Sequence, residues 1–204
     1  MMHRTYKRHR GSRRGASVLW LIVFMPLALT GLIFTIEIGR LWLARAEVEN
    51  ALESGALAAV IEWERLDPNT VLSTETARQA AADLAATNTV LGAPFAFADP
   101  NLNFSPCNLG NGQVFCNGND QLDGELVFGA ITQIQPTVVF DPEANPLLPN
   151  HFHAVLVRSA FSVPSQISLG GYSLGPYSVQ AESVAMVDSN GQARLVRIDS
   201  IASP

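Results

Sequence analysis

Residues 15–36 read GASVLWLIVFMPLALTGLIFTI, twenty-two residues without a charge. A membrane-spanning helix needs about 20 such residues, at 1.5 Å of rise each, to cross a hydrocarbon core of about 30 Å. Before the run stand Arg4, Lys7, Arg8, Arg10, Arg13 and Arg14, with no acid. After it come Glu37, Arg40, Arg45, Glu47 and Glu49, of mixed sign. Lys and Arg beside a span stay on the cytoplasmic side, so Arg13 and Arg14 set the topology. Residues 1–14 form a basic cytoplasmic tip, 15–36 the transmembrane helix, and the remainder is exported. Trp20 and Trp42 lie near the two ends, and Pro26 removes one backbone donor inside the span, which predicts a kink. A cleaved secretory signal has an apolar region of about 7–15 residues. This one is longer, and the nearest small-x-small site, Ala44-Arg45-Ala46, lies beyond two charges. A twin-arginine signal at Ser12-Arg13-Arg14 is followed by Gly15, Ala16 and Ser17 rather than by an apolar run. The expectation is a retained anchor.

The charge balance divides the same way. Beyond the basic tip the chain carries seven basic and eighteen acidic residues, for a net charge of −5 overall. A uniformly basic nucleic-acid surface is excluded, and an apolar content of 48% argues against a disordered chain.

Residues 37–65 contain no Pro and continue the helical pattern, with apolar or small residues at Leu41, Ala44, Val48, Leu52, Gly55 and Ala59. Ala51, Gly55 and Ala59 lie four apart on one face, where small side chains let another backbone approach. Two occupants are open for this packing face: the protein's own downstream domain, or a partner subunit's helix. Asp67-Pro68-Asn69 stops the helix, and Ser73 or Thr74 caps a second one running to about Asn88. Residues 37–90 are thus a helical region.

From Leu91 the composition shifts to Pro, Gly, Asn and β-branched runs. Strands are predicted at 125–132, 137–140, 154–162, 178–187 and 193–199. Asn190-Gly191 should turn the last pair as a type I′ hairpin. Val179, Ala181, Ala185 and Val187 share a face opposite Gln180 and Glu182, which suits a sheet with one buried side. No βαβ alternation is present. The fold class is α+β: an N-terminal transmembrane helix continuing into a long extracytoplasmic helix, a short helix, then a mainly antiparallel β-rich ectodomain over 91–204.

Motifs with chemical meaning are few. Gly171-Tyr172-Ser173-Leu174-Gly175 matches G-x-S-x-G, but Pro176 and a strand pattern follow it, and all four histidines precede Ser173. A turn between strands is the better reading. His151 and His153 would share a face if extended, yet no third metal ligand has supporting spacing, and a solvated strand start is expected. Residues 117–123 offer oxygen donors without the Gly and final Glu of an EF-hand loop. No catalytic, cofactor or metal residue is assigned, and no enzyme activity is expected. Cys107 and Cys116 lie in a short Asn/Gly-rich loop on the exported side, and a disulfide between them is expected there. Closing such a loop contributes on the order of 2–3 kcal/mol.

The first sixty residues resemble TadG-like and TadE-like proteins of tight-adherence (Flp) pilus assembly. Arg14-Gly15-Ala16, the apolar run with Pro26, Glu37-Ile38-Gly39-Arg40-Leu41-Trp42-Leu43-Ala44-Arg45 and the Ala-rich helix of 46–60 carry the likeness. Looser likeness extends over 150–159 and 164–187. Gly15 stands where such chains have a prepilin-type cut site, but the fifth residue after it is Trp20 rather than Glu. Larger TadG-like chains carry an Asp-x-Ser-x-Ser metal site, and this sequence has no such triplet. The resemblance implies a single-pass protein of the bacterial inner membrane, N-terminus cytoplasmic and C-terminal domain periplasmic. Its partners would be the membrane and other pilus-assembly or envelope proteins, with no nucleic acid and no small-molecule substrate. An envelope binding or sensing protein unrelated to pili is the alternative.

Overall fold

The computed structural model describes residues 14–66, 71–103, 117–169 and 171–202. Helix α1 runs over Arg14–Arg65 without a break, 52 residues and about 78 Å at helical rise. Pro26 lies inside it, and the helix continues through that position. Helix α2 covers Val71–Ala85. It begins before the predicted caps, so Ser73 and Thr74 are buried inside its first turns instead of capping it. The Asp67-Pro68-Asn69 stop lies outside the described residues. Asn88 ends α2 by returning its side-chain amide to Leu84 and Ala85 carbonyls and reaching across to Ser54 Oγ of α1 at 2.9 Å.

A small hairpin follows, β1 (Thr89–Val90) with β2 (Ala93–Pro94). Its two-residue loop holds Leu91 at φ 52° and Gly92 at φ 85°, the positive pair that a type I′ turn requires. Glu47 of α1 accepts the Leu91 N–H at 2.7 Å and fixes the hairpin to the helix.

The main sheet comprises β3 (Leu126–Gln133), β4 (Val139–Asp141), β5 (Phe152–Val163), β8 (Tyr177–Val187), β9 (Ala193–Val196) and β10 (Ser200–Ile201). Between β5 and β8 a second small ribbon pairs β6 (Ser168–Leu169) with β7 (Tyr172–Ser173). The sheet order is β10-β4-β3-β5-β8-β9, antiparallel throughout except for the parallel β10–β4 contact. The α+β class with a mostly antiparallel sheet is the architecture found.

Two details of the sheet differ from the expectation. The β8–β9 turn is not type I′. Gly191 N–H closes on Asp188 O and Asp188 N–H on Gln192 O, both at 2.9 Å, and Gly191 alone takes positive φ. That is a three-residue loop with the glycine as bulge. Asp188 Oδ1 accepts the Asn190 and Gln192 amides, which holds its carboxyl below the usual range. The predicted strand over 193–199 also splits. The chain leaves β9 at Val196, and Asp199 and Ser200 N–H groups reach Val138 O to start β10 on the opposite edge. Val196 and Ser200 lie four residues apart, about 14 Å at full extension. Across a flat sheet five strand gaps of about 4.8 Å would separate the two edges. The sheet therefore coils until its edges converge.

That coiling gives the sheet two buried faces rather than one. On the helix side, Leu126, Phe128, Val155, Val157, Val179, Ala185 and Val187 pack with Ala44, Val48, Leu52, Val60 and Trp63 of α1 and Ala77, Ala81 and Ala85 of α2. Inside the curl, Val127, Ile131, Phe140, Ala154, Leu156, Val184 and Met186 form a second cluster, flanked by Val196 and Ile198. The helical region and the β-rich region thus share one core.

Candidate functional site

Helix α1 passes through two environments. Side chains from Val18 through Ile36 are exposed on every face. By length and composition this stretch is apolar enough to cross a membrane, and its most apolar part is not buried at all. Water would penalise this surface by about 25 cal/mol per Å². A lipid core removes that penalty, and the helix meets its other requirement, internal pairing of backbone polar groups. Its hydroxyls comply: Thr30 Oγ1 donates to Pro26 O and Thr35 Oγ1 to Gly31 O, each at 2.9 Å.

The environment changes at Glu37. It is only 5% exposed and is the first buried side chain of α1 among the described residues. One carboxylate oxygen pairs with Arg40 Nη1 at 3.2 Å. The other accepts the Gln166 N–H, from the segment between β5 and β6, at 3.3 Å. The folded body meets the apolar helix here through a carboxylate. One turn on, Trp42 is 70% exposed, beside Ile38 and Leu43, which are also exposed. A groove of about 310 Å³ lies between Leu41, Trp42 and Arg45 on the helix and residues 177–180 of β8.

Further out, a larger groove of about 650 Å³ runs between α1 and the β5–β8 pair. Its charges are largely committed to structure. Arg45 Nε pairs with Glu49 at 2.8 Å, Arg158 donates to Gly124 O and Leu122 O, and Glu125 accepts the Ala98 and Asp99 amides. At the far end, Trp63 meets Phe128 and His153 edge-on, with ring centroids at 5.0 and 4.8 Å. His153 Nδ1 lies 2.6 Å from Glu64 Oε2. Burial pushes the imidazole down to about 4, so the neutral ring donates this hydrogen bond, and burial raises the Glu64 carboxyl.

The side chain that sequence reasoning missed is Arg78. It lies on the same face of α2 as Thr74, Ala77, Ala81 and Ala85, and is 2% exposed. Nη1 donates to Pro100 O and Leu126 O at 2.7 Å. Nη2 donates to Asn117 O, Gly118 O and Asn119 Oδ1 at 3.4, 3.1 and 3.0 Å. The guanidinium also lies 4.4 Å from the Phe128 ring centroid. Burial lowers it to about 9, with Asp99 opposing, and it stays charged at neutral pH. The available signal was the period: small residues three and four positions away marked a buried face that included this arginine.

The other predicted residues fall as follows. Arg14 is the first residue of α1, and Arg13 lies outside the described residues. Cys107 and Cys116, and the disulfide expected between them, also lie outside the described residues. Ala51, Gly55 and Ala59 are buried. A Cβ on Gly55 would meet Ala81 O at 3.3 Å, Ala85 Cβ at 3.4 Å and Phe97 Cζ at 3.4 Å. The occupant at Gly55 is the chain's own α2, so this position does not await a partner's helix. His151 and His153 separate: His151 Nδ1 contacts Asn145 O at 2.8 Å ahead of β5, while His153 is buried, not solvated. Ser173 sits in the β6–β7 ribbon, and its Oγ accepts the Gly175 N–H at 3.4 Å. In the 117–123 loop, Asn119 Oδ1 accepts the Phe128 N–H at 2.9 Å and Arg78 Nη2 at 3.0 Å, so that oxygen serves the fold, and the amide N–H groups of Asn117 and Asn119 donate to Pro142 O and Phe128 O.

Residues 15–62 match the Tad family, described as "Putative Flp pilus-assembly TadE/G-like". The match lies wholly within α1, from the start of the apolar run to one residue short of Trp63. The looser likeness over 150–187 is outside it. No curated protein and no solved structure matches the chain.

Proposed function

We propose that this protein is a membrane-anchored structural component of a Tad (Flp) type pilus or secretion apparatus, acting through protein contacts and not through catalysis. The observation that carries the reading is one helix with two halves inside the TadE/G-like match: an apolar half exposed on all sides, then a half built into a folded body. The first half anchors the chain in the inner membrane. The basic tip stays in the cytoplasm, by the bias of Lys and Arg flanking a span, and the body lies on the periplasmic side. Glu37 marks the exit, and Trp42 sits at the interface, where amphipathic rings concentrate. The body is held upright on a continuous helix, so its position relative to the bilayer is set by the fold.

Protease added to spheroplasts tests the topology: the body is digested and residues 1–14 are spared. A protected body refutes it. Crosslinking in native membranes, followed by identification of the crosslinked chains, tests the assignment. Recovery of pilus platform or pilin subunits is the expected result. Recovery of envelope proteins unrelated to a pilus refutes it in favour of a general binding module.

A further inference from the structure

The segment joining β5 to β8 has an unusual composition, and among its described side chains only Ile167 is buried. Between Arg158 and Glu182 the chain carries no charged residue. Its path is set by the ladder. β5 and β8 pair as far as Val163–Tyr177, beside Leu41 and Trp42 of α1. Gln166 then reaches Glu37, one turn nearer the membrane half of the helix. Leu174 N–H bonds Ile167 O, and β6 pairs with β7, so the ribbon continues past that level. Three residues beyond Gln166, at about 3.3 Å each, cover about 10 Å along the strand. Tyr172 is 82% exposed and Leu174 49% exposed, the former among the most exposed apolar side chains of the body.

We infer that the β6–β7 ribbon is a second membrane contact, inserting Tyr172 and Leu174 at the headgroup–acyl boundary of the bilayer that α1 spans. The inference rests on the anchor reading above and adds to it a role for the body. An exposed Tyr and Leu on an uncharged ribbon are costly in water, whereas an interface accommodates the ring and its hydroxyl together. The absence of charge over 159–181 means that no ion is desolvated on contact. Ile38 and Trp42, four apart on α1, are exposed near the same level of the helix. With two points of attachment, span and ribbon, the body cannot swivel about α1, and its charged groove keeps a fixed orientation to the membrane.

The full chain, reconstituted into phosphatidylethanolamine–phosphatidylglycerol vesicles containing radiolabelled phospholipid, tests this with p-benzoylphenylalanine in place of Phe24, Tyr172 or Asn190. Asn190 lies in the β8–β9 turn, about 33 Å along β8 from Tyr177. The expected result is a lipid adduct at 24 and at least tenfold more lipid adduct at 172 than at 190. A smaller excess at 172, with 24 still labelled, overturns the ribbon contact and leaves the anchor standing. An adduct of 172 to another protein chain in place of lipid also overturns it. Failure of 24 to label removes the anchor reading and this inference with it.

Discussion

Arg78 places a charge where a small domain can least tolerate an unmatched one. Five oxygens from three stretches of chain, residues 100, 117–119 and 126, converge on its two terminal nitrogens. The planar fork addresses several acceptors at once, which a lysine ammonium cannot do from the same position. Arg78→Lys should therefore destabilise the protein by about 2–5 kcal/mol, read as a fall in the urea midpoint, because it strands buried carbonyls. A loss below about 1 kcal/mol would show that the acceptors repair themselves. His153 offers a pH test. Its folded value of about 4 lies below the ordinary 6.5, so the unfolded chain takes the proton first. Stability is full above about pH 6.5 and is lost as pH falls toward 4. Glu64, raised by burial, takes its proton earlier in the folded state and offsets part of that loss. Between pH 7 and 5, His153→Gln should lose less stability than the parent by on the order of 1–2 kcal/mol. Parallel pH profiles would rule out the buried imidazole as the cause. The partners of neither residue were legible from sequence. Four of the five acceptors around Arg78 are backbone carbonyls, up to 48 positions away, and Glu64 is 89 positions from His153.

The long helix and the hairpins show how far local patterns reach. Small residues at 51, 55 and 59 announced close packing, but the pattern carries no information about the occupant. At Gly55 the neighbours are α2 and Phe97. Gly55→Leu raises intrinsic helix propensity by nearly 1 kcal/mol, yet its branched carbons would enter the space held by Ala81 O and Ala85. A net loss of about 1–3 kcal/mol in thermal unfolding is expected, with Gly55→Ala closer to the parent. A stabilised leucine variant would mean that the two helices separate at little cost. The turns make the complementary point. Asn190-Gly191 carries the strongest local signal for a type I′ turn, yet Asp188 caps two amides of that loop and selects the bulged form. Leu91-Gly92, with a residue that disfavours positive φ, takes the positive pair because Glu47 holds the Leu91 amide from another element.

One helix with an exposed apolar half and a packed half governs the molecule as a whole. Neither buried cluster includes any residue from 18 to 36, so the body draws none of its core from the anchor. A chain beginning at Glu37 should unfold cooperatively, with a midpoint within a few degrees of that of the full chain in detergent. The full chain should stay in the membrane pellet after alkaline carbonate extraction, and the shortened one should not. Loss of cooperative unfolding on removal of the span would show that the anchor supports the body. The apolar run, the basic tip, the unbroken helix and the α+β order were determined by the sequence alone, because each depends on neighbours within a few turns of helix or along one strand. Tertiary structure decided what the helix faces touch, the coiling that carries the chain from β9 to β10 on the opposite edge, and the burial of Arg78 and His153. Those outcomes turn on contacts between elements far apart in the chain, and burial free energy rewards any apolar partner without specifying which.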